Sequence, residues 1–172
     1  MLSTRAFSLI EILVVLAVIG ILIAVVVPGF STWRTRNAVG TGVRDVESVL
    51  KLARSKSLAS EDGALYGVFF TAADNKYSFC KNPSDAGGGT YICGTLINDH
   101  FLPASLVFCP TPSDIIFSKL TGNTQANATV YFYNKNTASA LCSDAPALTL
   151  CITDKTCGGV EVLQSGVVYE KK

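Results

Sequence analysis

Glu11 is the residue of this chain whose type and setting most call for chemistry. It is the only charge between Phe7 and Phe30, and residues 12–27 after it carry no polar side chain. A charge at the centre of a membrane helix costs about 2.5–3.5 kcal/mol on insertion scales, so such a group is a functional candidate by default. What it can do is attract a cation. Opposite charges about 4 Å apart interact strongly where water is scarce. The alternative is a carboxylate that snorkels to the membrane interface.

The six cysteines, Cys80, Cys93, Cys109, Cys142, Cys151 and Cys157, are the second chemical set. None has CxxC spacing and His100 is the only histidine. Zinc sites usually show closely spaced ligand pairs, so neither a metal nor another cofactor is expected. An even cysteine count beyond an apolar segment points to disulfides in an oxidising compartment. Six cysteines allow 15 pairings. Proximity suggests Cys80 with Cys93, and Cys142 with Cys151 or Cys157; buried free thiols remain the alternative.

Other candidates are weaker. Asp99-His100 lies in no G-x-S-x-G context, and a lone histidine is more often structural, so no enzyme is expected. Gly87-Gly88-Gly89 lacks the lysine and helix of a phosphate loop and reads as a turn. Asn127-Ala128-Thr129 matches a glycosylation acceptor, a tripeptide frequent by chance. Lys171-Lys172 is the only adjacent basic pair after the stem, and with Lys155 it could make a small DNA-contact cluster, although phosphate neutralisation usually needs several cations.

These residues need elements to position them. The 172 residues are 49% hydrophobic and 16% charged, with a mean hydropathy of +0.38. Disorder is excluded, since it needs low hydrophobicity and high charge. The length suits one domain with an appendage. The apolar run is long enough for a membrane helix, which needs about 20 residues. Residues 31–60 carry a net +4 and residues 61–172 a net −3, so a basic stem precedes a mildly acidic head. Val39, Val43, Val46, Leu50 and Ala53 recur at helical spacing and predict a buried stripe. Gly40 and Gly42 should weaken that helix by roughly 1 kcal/mol each. One helix from Phe7 to about Ala59 would span roughly 80 Å, with a kink or local melting expected near Ala24 to Pro28 because of the proline. Beyond it, short runs at 65–71, 76–80, 105–109, 114–119, 129–134, 147–153 and 166–170 alternate with turn residues, among them Cys157-Gly158-Gly159. The pattern predicts a mostly antiparallel β head.

Arg5-Ala6-Phe7-Ser8-Leu9-Ile10-Glu11 with the apolar run that follows resembles the signal of the type IV pilin superfamily. The resemblance implies a leader of residues 1–6, cut between Ala6 and Phe7 by a prepilin peptidase that then methylates the Phe7 amine. The family usually has glycine before the cut; Ala6 replaces it with another small residue. Glu11 would be the fifth mature residue, attracting a neighbour's N-terminal amine during assembly, and Pro28 would match a common family proline. Leu50-Lys51-Leu52-Ala53-Arg54-Ser55 is similar to the stem of pseudopilins of the GspH/FimT type. A secretory signal would need a small-residue cleavage site after the run, and Val25-Val26-Val27-Pro28 offers none.

The resemblance implies an α+β chain. Residues 7–30 form a transmembrane and filament-core helix, 31–60 an amphipathic stem helix and 61–172 a β-rich extracytoplasmic head. It implies a structural subunit of a type IV pilus or type II secretion pseudopilus, partnered by other pilins and an inner-membrane assembly platform. Two other readings stand beside it, a DNA-uptake pilin and a membrane-tethered binding domain.

Overall fold

The computed structural model describes residues 9–87, 90–109, 112–135 and 157–171, with the side chains of 25–32 and 90 outside that description. Helix α1 spans Leu9–Leu58. Ten strands follow among the described residues: β1 Tyr66–Thr71, β2 Lys76–Lys81, β3 Ser84–Gly87, β4 Thr90–Ile92, β5 Thr95–Phe101, β6 Leu106–Phe108, β7 Ile115–Phe117, β8 Ala128–Asn134, β9 Cys157–Val162 and β10 Val168–Lys171. The chain is α+β, as the sequence predicts. It divides into two compact units, Met1–Arg34 and Thr35–Lys172.

The second unit holds two four-stranded antiparallel sheets, ordered β5-β2-β1-β7 and β10-β9-β8-β6, and the hairpin β3-β4. The predicted stripe is buried: Val39, Val43, Val46, Leu50 and Ala53 join Tyr66, Val68, Tyr77, Phe79, Phe117, Val130, Phe132 and Val160 in one core. An apolar helix face on apolar sheet faces is the standard way to bury both.

Several expectations change. α1 is helical through Pro28, so local melting does not occur there. Gly42 marks a close approach rather than a weak point: a Cβ there would lie 2.8 Å from Leu106 Cδ1 and 3.2 Å from Phe132 Cε2. Cys157-Gly158-Gly159 is the start of β9, not a turn. A Cβ on Gly158 would lie 2.6 Å from Val43 Cγ2, so glycine lets α1 sit against the strand. The expected run at 147–153, with Cys142 and Cys151, lies outside the described residues.

Where α1 ends, Ser57 is fully buried. Its hydroxyl donates to the Phe117 carbonyl (3.3 Å) and accepts from the Tyr66 N–H (3.2 Å). One side chain thus ties the helix to β1 and β7.

Candidate functional site

Glu11 lies in the first turn of α1. A carboxylate there is favoured by the partial positive charge of the helix N-terminus. Around it the helix is apolar and open, with Leu9, Ile10, Ile12, Leu13, Val14, Val15, Leu16, Val18, Ile19, Ile21, Leu22 and Ile23 each between 45% and 79% exposed. Soluble monomers rarely leave such a continuous apolar surface uncovered, so it calls for lipid or other helices. Among the described residues, no helix is long and apolar enough to cross a membrane. The apolar run continues into 25–32, whose side chains are outside the description. Ala6 and Phe7 also lie outside it.

Further along, α1 turns basic on its open side. Arg34, Arg36, Arg44 and Lys51 are exposed, and Lys51 pairs with Glu47 at 2.7 Å. Trp33 is 60% exposed beside this group.

The structure separates the candidates on the head. Cys80 and Cys93 form a disulfide across 13 residues, enclosing the β3-β4 hairpin. Cys109 and Cys157 are disulfide-bonded as well, and no cysteine among the described residues is free. Asp99 and His100 do not work as a pair, because successive strand residues face opposite sides. Asp99 accepts a hydrogen bond from Ser78 Oγ (2.5 Å) and pairs with Lys76 at 3.5 Å; together these hold its carboxyl below the usual range. His100 instead stacks on Tyr77 at 5.2 Å. Burial pushes the Tyr77 hydroxyl up to about 12, so it stays neutral.

Of the three candidate DNA-contact lysines, only Lys171 is described. It is engaged by Glu161 at 3.4 Å and lies over the Tyr131 ring. Lys155 and Lys172 lie outside the described residues. No cluster of metal-ligating side chains occurs among the described residues.

A cavity of about 220 Å³, announced by no sequence motif, is lined by residues 113–116, 124–128 and Tyr91. Asp114 Oδ1 accepts from the Phe70 N–H at 3.1 Å. Partial loss of hydration nevertheless raises the Asp114 carboxyl above its ordinary value, against the lowering effect of the Phe70 N–H.

Residues 1–27 match the family model of the prokaryotic N-terminal methylation motif. The fold is similar to that of the type IV minor pilin FimU of Pseudomonas aeruginosa, with a TM-score of 0.51 and 10% identity over 77% of this chain and 92% of that one. It is similar too to the minor pseudopilin EpsH of the type 2 secretion system of Vibrio cholerae, with a TM-score of 0.51 and 13% identity over 77% of this chain and 95% of that one. No curated protein matches the chain.

Proposed function

Because the N-terminal motif and the fold together support a member of the type IV pilin superfamily, we propose that this chain is a minor structural subunit of a pilus or pseudopilus. It is a substrate of a prepilin peptidase and not itself an enzyme. The observation that carries the reading is Glu11, a single carboxylate inside the methylation motif at the start of an otherwise bare apolar helix surface. Before assembly, residues 7–30 anchor the precursor in the inner membrane with the head outside the cytoplasm. Removal of residues 1–6 frees the Phe7 amine. Glu11 then attracts the corresponding amine of a neighbouring subunit while the assembly platform adds the chain to a filament. The apolar helices pack in the filament core, where lipid no longer covers them, and the head decorates the surface. The disulfide-bonded cysteines support an extracytoplasmic head.

N-terminal sequencing of the membrane-bound chain from a host with active prepilin peptidase should begin at Phe7; an intact Met1 contradicts processing. Glu11→Ala should leave the precursor abundant and membrane-bound but reduce its recovery in sheared filaments at least about tenfold, since it removes a charge attraction worth several kcal/mol in a water-poor setting. Recovery equal to wild type would sink the role of the carboxylate.

A further inference from the structure

The second sheet carries two cysteines on one face. β8 lies between β6 and β9. Phe108 of β6 pairs with Phe132 of β8. The Cys109 N–H donates to the Tyr131 carbonyl at 2.9 Å, which carries that pairing one residue further. On the other side of β8, Cys157 of β9 pairs with Tyr133. Phe108, Phe132 and Val160 belong to the core that α1 covers, and Gly158 sits against Val43 of α1. Side chains alternate along a strand, so Cys109 and Cys157 both face away from α1, beside Tyr131 and Tyr133. Both are nevertheless buried, at 2% and 3% exposure. That face is therefore covered where they lie.

Cys109 and Cys157 are both in disulfides, and the register forbids a bond between them. Neighbouring strands lie about 4.8 Å apart and each residue advances about 3.3 Å. Two strands across and two residues along put their Cα atoms about 12 Å apart, whereas a disulfide joins Cα atoms within about 7 Å. Cys80 and Cys93 are taken by each other. Of the six cysteines in the chain this leaves Cys142 and Cys151, in the stretch 136–156 outside the described residues.

We propose that Cys109 and Cys157 each bond one of Cys142 and Cys151, so that the connection between β8 and β9 is stapled twice across the face of the sheet turned away from α1. Full extension of the chain from Cys142 to Cys151 reaches about 30 Å, ample for the roughly 12 Å between the two sheet cysteines. The staple excludes a bond between Cys142 and Cys151, which their proximity in sequence suggests. Each bond forms by exchange with a disulfide oxidant: two cysteine thiols become one disulfide, and the oxidant's disulfide takes up their hydrogens as two thiols. The pairing follows from strand register and burial and is independent of the filament role proposed above.

The test maps peptides of the full chain, purified in detergent from membranes of a host with an oxidising extracytoplasmic compartment, after free thiols are blocked with N-ethylmaleimide. Trypsin cuts after Lys81, Lys119, Lys135, Lys155 and Lys171, which puts Cys142 and Cys151 on one peptide, 136–155, with Cys109 on 82–119 and Cys157 on 156–171. Without reductant these three peptides, with 77–81 attached through Cys80, should travel as one species in mass spectrometry, and reduction should separate them. A free 136–155 with an internal disulfide, a blocked thiol on any of the four cysteines, or a covalent dimer of the undigested chain would each overturn the proposal. Cys142→Ser gives a second readout. One new blocked thiol should appear on Cys109 or Cys157, and its appearance on Cys151 instead would contradict the staple. The wild-type map does not depend on that variant folding. Its failure would leave filament recovery in Glu11→Ala unaffected, so the two ideas fail separately.

Discussion

Ser57 shows how much a small polar side chain can hold in place. Its hydroxyl serves the Tyr66 N–H and the Phe117 carbonyl in a setting without solvent access. Ser57→Ala should therefore cost about 1–3 kcal/mol in urea unfolding, the range for orphaning a buried backbone donor or acceptor. The surface carboxylates behave differently. A hydrogen bond from Lys81 lowers the Asp62 carboxyl, and the hydrogen bond from Ser78, followed by Lys76, lowers Asp99. A lowered carboxyl contributes stability above its unfolded value, near 3.8 here, and that contribution disappears as pH falls through the folded value. Melting temperature should accordingly drop as pH is taken from about 5 to below 3. Asp62→Asn with Asp99→Asn should flatten that drop, and an identical profile in the double variant would contradict the assignment. Asp114 has the opposite sign. Its raised carboxyl makes the ionised form slightly unfavourable in the fold, a burden relieved on acidification.

Among elements, α1 was the most legible from sequence. Its stripe of Val39, Val43, Val46, Leu50 and Ala53 has helical spacing because one side of the helix is buried against both sheets. The strands β1, β2, β6, β7 and β8 also show as apolar or aromatic runs. β5 does not. A bulge between its pairings with Phe79 and Cys80 inserts Ile97 and breaks the two-residue period, and as a terminal strand it leaves Leu96, Ile97 and Phe101 exposed. β3 and β4 were hidden in the glycine-rich stretch. β9 was hidden by Gly158 and Gly159, which resemble punctuation but answer to crowding from Val43 and Tyr131. The cavity was not legible at all, because its walls, 113–116 and 124–128, read as a strand and a loop, and no sequence pattern tells that their packing leaves a gap. Glu11, by contrast, stood out in the sequence because no other charge lies near it. Paired glycine variants test the crowding account. Nothing lies within 4 Å of a Cβ on Gly40, so Gly40→Ala should stabilise by about 0.5–1 kcal/mol through helix propensity. Gly158→Ala should destabilise by about 1–3 kcal/mol through overpacking against Val43 and Phe132. Denaturant midpoints moving in the same direction for both would refute it.

At the scale of the whole molecule, the chain joins a helix segment with an exposed apolar surface to a head with a closed core. The first needs company from lipid or neighbouring helices; the second carries its own stability, reinforced by the covalent link between β2 and the segment after β4. Replacing both Cys80 and Cys93 by serine should lower stability by roughly 3 kcal/mol, the chain-entropy value for a loop of this length. Reducing agent should erase the difference this pair makes. The same link has a consequence for durability. β3 is exposed along its whole length, and exposed loops and tips are where proteases cut first. A single cut between Cys80 and Cys93 leaves both ends tied by the disulfide, so nothing is shed from the head. In the extracytoplasmic setting proposed for the head, where a broken backbone cannot be resynthesised, this exposed hairpin can be nicked while the chain stays in one piece.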